Sequence, residues 1–142
     1  MSARRATRVA VCGRPEAAAR LASAKAFLAV AELTQAEAND PVLPLHGVAA
    51  AIAVLVGIAA ADTICCIRLG EMSRGDDHSA AATLLGTAAP EGMRVHNDLT
   101  RLLAIKDKVH YQAIVVTNSE MTAAIRQARR LVDAAVEAIA WT

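Results

Sequence analysis

Two short polar segments hold the residue types of this chain that can bind a phosphate group and move a proton. One is the run 73–78, Ser-Arg-Gly-Asp-Asp-His, which supplies Arg74, Asp77 and His78. The other is the run 105–111, Ile-Lys-Asp-Lys-Val-His-Tyr, which supplies Lys106, Lys108, His110 and Tyr111. Arginine and lysine neutralise phosphate, and histidine exchanges a proton near neutral pH. The two segments together predict a polar site for an anionic ligand.

Both segments also have a purely structural explanation. Asp76 or Asp77 is a natural N-cap for a following helix that His78 would begin. A helix C-terminus attracts cations, which accounts equally well for the basic run that ends at His110. The two remaining histidines have structural interpretations as well. We expect His46 to be an exposed residue at a helix start and His96 to be packed and hydrogen-bonded.

The histidines and cysteines do not form a metal-binding pattern. No two histidines have the spacing HxxxH, and the cysteines, Cys12, Cys65 and Cys66, contain no CxxC pair. Adjacent helical residues point about 100° apart, so Cys65 and Cys66 do not face one ligand. We therefore predict no metal and no cofactor. The three cysteines are expected to be reduced core residues of a cytoplasmic protein.

Asp62 is an acidic residue inside the most apolar part of the chain. If it faces the core it needs a cationic partner, because an unpaired buried charge costs several kcal/mol. The candidate partners are Arg68, Arg74, Lys106 and Lys108. One interpretation is an ion pair that joins two helices. The other places Asp62 beneath a polar site where the two segments meet.

Composition predicts an all-α fold that positions these residues. The chain has 142 residues, of which 55% are hydrophobic and 2% aromatic, so its apolar content is mostly alanine and aliphatic side chains. Apolar periodicity and capping residues predict helices over 15–38, 45–72, 79–85 and 91–109, and a last helix that follows the capping box at 117–120 and contains residues 121–139, preceded by a flexible arm over 1–14. The first of these helices should bury Leu21, Ala24, Phe27 or Leu28, and Leu33. The prediction is an antiparallel up-and-down bundle of four long helices and one short helix, forming one domain over 15–142.

The longest apolar stretch bears on membranes and partners. Residues 47–61 span about 22 Å as a helix, less than the roughly 30 Å hydrocarbon layer, so no membrane span is expected. A helix that is apolar all round belongs in the middle of a bundle or at an oligomer interface. The net charge of +1 provides no global case for nucleic-acid binding, although a local basic patch remains open.

Three stretches carry a resemblance to a known family. They are 60–70 (AADTICCIRLG), 73–78 (SRGDDH) and 102–111 (LLAIKDKVHY). They resemble the HEPN superfamily, in particular a small actinobacterial branch, over about residues 17–139. The resemblance implies a helical bundle that is often dimeric. It also implies a superfamily that contains metal-independent RNases, many of them toxins, and non-catalytic members that bind RNA or nucleotides.

Catalytic members of that superfamily carry an arginine followed four to six residues later by a histidine. Here Lys106 precedes His110, so the arginine is missing, and lysine lacks the planar fork that clamps phosphate. The first interpretation is therefore a non-catalytic module that binds RNA, a nucleotide or a protein partner. The alternatives are a metal-independent endoribonuclease, as in a toxin with its antitoxin, and a purely structural homodimeric bundle.

The endoribonuclease alternative assigns a role to each candidate residue. His78 or His110 would accept the ribose 2′-hydroxyl proton, and Arg74, Lys106 or Lys108 would stabilise the phosphate charge. The candidates that would hold the RNA or nucleotide are Asp62, Arg68, Asp77, Lys106, Lys108 and Tyr111.

Overall fold

The computed structural model describes residues 8–75, 78–111 and 115–141, with the backbone alone for His110 and Tyr111. Its fold class is all-α, as predicted, with one two-stranded sheet. In chain order the elements are β1 (Val9–Val11), α1 (Arg14–Ala36), α2 (Leu45–Leu69), β2 (Glu71–Ser73), α3 (His78–Gly86), α4 (Glu91–Tyr111) and α5 (Asn118–Ala140). The five helices agree with the predicted ranges to within a few residues.

Local signals in the sequence explain where the helices begin and end. At the start of α1, the Gly13 N–H donates to Glu16 Oε2 at 3.2 Å. α2 ends where Gly70 takes a left-handed conformation with φ of +70°, which only glycine adopts freely. At α5 the predicted capping box is confirmed, since Thr117 Oγ1 accepts from the Glu120 N–H at 3.1 Å.

The hydrophobic core is built around α2, which packs against the other four helices. Gly57 lets α4 and α5 approach closely, because a Cβ there would lie 2.6 Å from Leu102 Cδ1 and 3.3 Å from Leu131 Cδ1. With 25 residues, α2 is long and apolar enough to cross a membrane, but 72% of its most apolar window is buried inside the bundle. That burial is what a core helix requires.

α1 and α2 run antiparallel. Arg20 near the start of α1 pairs with Asp62 near the end of α2. One turn earlier in α1, the Ala17 carbonyl accepts a hydrogen bond from Thr63 Oγ1 at 3.3 Å. The short connection over 37–44 then joins the end of α1 to the start of α2. The two helices therefore stay in contact over most of their length.

The amino-terminal segment corrects two sequence-based expectations. Residues 8–13, expected to be part of a flexible arm, contain β1, which pairs antiparallel with β2 in a register that sets Ala10 opposite Met72. Cys12, expected to be reduced, forms a disulfide with Cys66, while Cys65 is free and buried. Neither feature follows from local sequence, because the paired residues lie 54 positions apart.

Two predicted details of the helices also differ. Leu33, expected in the core, is 68% exposed, and of the two alternatives Phe27 and Leu28 it is Leu28 that packs against the core, while Phe27 is 36% exposed. Ala31 and Ala38 take the buried positions instead, since α1 and α2 pack closely through alanines. The stretch 112–116, expected to be a connecting loop, is described at Val115 and Val116, which belong to neither helix nor strand.

Candidate functional site

Asp62 is buried in α2 and pairs with Arg20 of α1. Asp62 Oδ2 accepts from Arg20 Nη2 at 2.7 Å and from Arg20 Nε at 3.1 Å. Burial raises the pKa of the Asp62 carboxyl, and the hydrogen bonds from Arg20 oppose that rise. The interpretation of Asp62 as half of a helix-joining ion pair is confirmed. The expected partners were wrong, however, because none of Arg68, Arg74, Lys106 and Lys108 is the partner.

Arg68, a second candidate binding residue, is committed to Glu91 at the start of α4. Its guanidinium donates from Nε to Glu91 Oε1 at 2.9 Å and also from Nη2. The Glu91 side chain is 1% exposed. Although burial favours the neutral acid, the bonds from Arg68 outweigh it and lower the pKa of Glu91. The pair therefore joins the end of α2 to the start of α4.

Lys108 lies at the other end of α4 and is engaged there by α5. Its Nζ lies 2.5 Å from Glu120 Oε2, and the hydrogen bond from Lys108 is the main cause that lowers the pKa of Glu120. At about 1.5 Å of rise per residue, Lys108 is about 25 Å along α4 from Glu91 and hence from the Arg68 pair. The structure does not bring Arg68 and Lys108 into one site. Lys106 is half-buried near Lys108.

Arg74 and His78 lie in and after the connector that follows β2. The Arg74 side chain is exposed, and its backbone N–H donates to the Arg8 carbonyl at 2.7 Å. His78 is the first residue of α3 and is half-buried, which confirms the prediction that it begins a helix. Asp77, its predicted neighbour in the site, lies outside the described residues, as does Asp76.

The last turn of α4 contains the remaining candidates, His110 and Tyr111, whose side chains are outside the described part of the chain. His96 is packed as predicted, with Nδ1 2.8 Å from the Ala82 carbonyl oxygen. His46 is half-buried at the start of α2 rather than fully exposed. Within the described ranges, no three His, Cys, Asp or Glu side chains are grouped so as to hold a metal ion.

A different feature is an apolar surface on α1 and α2. The Arg20–Asp62 pair lies at its edge and shows which sides of the two helices form it. Seven residues make almost two helical turns, so Phe27 lies on the same side of α1 as Arg20, and Leu55 on the same side of α2 as Asp62. Because the helices are antiparallel, Phe27 and Leu55 lie side by side. Neighbouring positions at helical spacing extend this surface, which we call the α1–α2 face: Phe27, Val30, Val48, Ile52, Leu55 and Ile58.

Exposure supports the interpretation of this face as a surface feature. Val30, Val48 and Leu55 are 48%, 44% and 46% exposed, respectively. α2 has no charged residue between His46 and Asp62. A soluble monomer normally covers such positions with polar side chains, and a contiguous apolar patch marks an interaction site.

A cleft continues the α1–α2 face at the start of α2. It has a volume of about 280 Å³ and lies between the amino end of α2, the carboxyl end of α4 and the segment before α5. Among the described residues its wall is apolar apart from the imidazole of His46, and the lining includes Val48, which belongs to the face, together with Ala51, Val109 and Val116. Its size and lining fit one or two apolar side chains of a partner.

Sequence reasoning missed the partners of the charged candidates. Arg20 was not considered for Asp62, nor Glu91 for Arg68. A usable signal existed only for Glu120, which the capping box had already placed beside the end of α4. The other two pairs depend on how the helices align, which local patterns do not encode.

Comparison with protein families and with curated proteins identifies no relative of this chain. No protein-family model matches the chain, and a search of curated proteins finds no match.

Proposed function

We propose that this chain is a non-catalytic helical interaction module that associates with a second copy of itself through the α1–α2 face. The observation that carries the proposal is that face: partly exposed apolar side chains on two adjacent helices, with no charge among them along α2. Homodimer interfaces have this composition, since their centres are apolar and poor in charged residues.

The ion pairs that the charged candidate residues form favour a non-catalytic role. Asp62, Arg68 and Lys108 each bind an oppositely charged side chain of another helix. A residue held in this way gives up its ion pair before it can bind phosphate, and breaking a buried pair costs several kcal/mol. The endoribonuclease alternative therefore rests on the predicted residues other than these three, namely Arg74, Asp77, His78, Lys106, His110 and Tyr111.

Charge favours a second copy over an anionic partner such as RNA. The α1–α2 face has no cation at its centre, and Arg20 at its edge is neutralised by Asp62. Phosphate-rich ligands gain affinity by pairing with lysine and arginine, so this face has little to offer them. An identical apolar face, brought up by a two-fold axis, matches it without leaving any charge unpaired.

The size of the face is suited to the centre of a small dimer interface. From Val48 to Ile58 it runs about 15 Å along α2, and with α1 it is about 20 Å wide, which gives about 300 Å². A standard interface takes about 800 Å² from each partner. Other apolar residues of α1 and of the connection to α2 are also exposed: Leu33, Val42 and Leu43.

Membership of the HEPN superfamily is part of the proposal. It is supported by the three matching stretches and by the helical fold, and a dimeric module is one form that the resemblance implies. Binding of RNA, a nucleotide or an antitoxin-like protein would then involve surfaces other than the α1–α2 face.

Sedimentation equilibrium over a wide range of protein concentrations tests the proposal. We expect a mass near twice the 14.8 kDa of one chain at micromolar concentration, falling toward one chain on dilution. A parallel measurement of retention on immobilised RNA should show no steep dependence on salt. A chain that stays monomeric, yet binds RNA in a strongly salt-dependent way, would replace this proposal with the RNA-binding one.

A further inference from the structure

The disulfide between Cys12 and Cys66 ties the amino-terminal segment to the end of α2. Cys12 lies directly after β1, and Cys66 is in the last turn of α2. Backbone hydrogen bonds at both ends of β1 add to this attachment. The Cys12 N–H donates to the Gly70 carbonyl at 2.9 Å, and the Arg74 N–H donates to the Arg8 carbonyl at 2.7 Å. One covalent bond and a short ladder therefore hold residues 8–13.

Without the covalent bond this attachment is weak. Each strand has three residues, and the outward-facing Val9 and Val11 of β1 are 41% and 89% exposed. An isolated pair of such short strands is marginally stable in water, because little apolar surface is buried to offset the ordering of the backbone. Opening of β1 is then a local event of low free-energy cost once the disulfide is broken.

The disulfide is also separate from the main hydrophobic core. It belongs to a small cluster of Cys12, Ala17 and Cys66, whose buried members are not part of the main core cluster, although Ile67 and Ile139 pack against both. α1 and α2 remain linked by the Arg20–Asp62 pair and the Thr63 hydrogen bond. These contacts between the helices do not involve the disulfide.

We propose that the Cys12–Cys66 disulfide is a redox latch: in the oxidised chain it fixes β1 on β2, and a dithiol reductant releases residues 8–13 while the helices stay folded. Release removes the backbone bond that holds Arg74. The latch thus couples the redox state to the backbone at Arg74.

The chemistry is ordinary thiol–disulfide exchange. A thiolate of the dithiol attacks Cys12 Sγ, the bond to Cys66 breaks, and Cys66 leaves as a thiolate that takes a proton. The second thiol of the reductant then displaces Cys12 and closes a cyclic disulfide. Two electrons and two protons pass from the dithiol to the protein. Both cysteines are buried, Cys12 at 7% and Cys66 at 3% exposure, so the attack at Cys12 begins when the short strand β1, which carries exposed Val11, frays from β2.

Cys65 takes no part in this exchange. It is buried, and desolvation, assisted by the charges of Asp62 and Glu71, raises the pKa of its thiol to about 12. A thiol with such a pKa is scarcely ionised at neutral pH and does not attack the neighbouring disulfide. The latch therefore has two defined states rather than three interchanging pairings.

Hydrogen–deuterium exchange of the full chain, oxidised or treated with dithiothreitol, tests the latch. We expect exchange of the Cys12 and Arg74 amides to become on the order of tenfold to a hundredfold faster on reduction, with the amides of α2 and α5 unchanged. Far-ultraviolet circular dichroism should keep its helical signal. Cys65→Ala should respond as the parent does, and the double variant Cys12→Ser with Cys66→Ser should exchange rapidly at both amides without reductant.

Three results would overturn the proposal. The first is three reactive thiols in protein that has been prepared without reductant and then denatured, since no latch would exist. The second is unchanged exchange at Cys12 and Arg74 after complete reduction. The third is loss of the helical signal on reduction, which would make the bond a structural requirement of the whole bundle.

Discussion

Two outer surfaces of the bundle differ in the type of side chain that they expose to solvent. On α4 and α5, Arg130 binds Asp98 at 2.7 Å and Arg94 binds Glu137 at 2.9 Å, so charged side chains cover the junction of these helices. The α1–α2 face has the same kind of junction between adjacent helices, but apolar side chains cover it apart from the Arg20–Asp62 pair at its edge.

The difference supports the proposed association through the α1–α2 face. The α4–α5 surface satisfies its own charges and exposes them to water, so it gains little from association. The α1–α2 face leaves apolar area in water, and burial of that area would yield about 25 cal/mol per Å² before the costs of association. The same bundle thus contains a self-sufficient surface and an incomplete one.

Removal of Arg130 should have the largest effect on the α4–α5 surface. Arg130→Met leaves the Asp98 carboxylate, whose side chain is 9% exposed, without its bidentate partner. We expect the free energy of unfolding to fall by about 2–3 kcal/mol, measured by urea denaturation. The matched control, Arg94→Met, breaks a pair exposed on both sides and should cost no more than about 1 kcal/mol. Equal losses in the two variants would contradict the difference in burial.

The Arg20–Asp62 pair tests the edge of the α1–α2 face. Arg20→Met should destabilise the protein by about 1–2 kcal/mol at pH 7, because Asp62 then remains charged and buried without a partner. The raised pKa of Asp62 means that folding favours its neutral form. That contribution is complete below the unfolded pKa and is lost as pH rises through the folded pKa.

The loss caused by Arg20→Met should therefore shrink as the pH is lowered toward 4. Urea denaturation of parent and variant from pH 4 to pH 8 measures it. A loss that is the same at every pH would show that the charge of Asp62 does not cause it.

The smallest expected effect is on the pH dependence of stability and arises from carboxylates that lie away from the α1–α2 face. Arg68 and Lys108 lower the pKa of Glu91 and Glu120, so both groups stabilise the fold above their unfolded pKa and lose this contribution as pH falls through the folded values. Stability should decline below about pH 4.5. Glu120→Gln should flatten that decline, as seen in thermal unfolding between pH 2.5 and pH 6. An unchanged slope would argue against the Lys108–Glu120 contact.

Most of the fold was predictable because its signals are local. Apolar periodicity predicted all five helices, and a glycine after α2 and a capping box before α5 marked their ends. β1 and β2 were not predicted, because three-residue strands have no periodicity to detect and their pairing is set by the disulfide and the end of α2. The pairing of β1 with β2 depends on contacts between residues distant in sequence, which local patterns do not encode.

The candidate site was predictable in residue type but not in arrangement. The sequence identified Asp62 as a buried acid that needs a cation, and the structure supplies one from α1. The sequence-based hypothesis also placed Arg68 and Lys108 in one site. In the structure the Arg68–Glu91 pair lies about 25 Å along α4 from Lys108. The exposed edge of α2 was foreseen only as one of two alternatives, core or oligomer interface, because an apolar helix looks the same in sequence whichever side its neighbours cover.

Self-association through the α1–α2 face is tested most directly by two matched substitutions. Val48→Glu places a charge on the face and Val136→Glu places the same charge on α5, at positions 44% and 40% exposed in the single chain. Sedimentation equilibrium of the two variants and the parent compares their dimer dissociation constants. We predict that Val48→Glu weakens dimerisation on the order of a hundredfold and that Val136→Glu leaves it unchanged. Equal dissociation constants for the two variants would contradict the account.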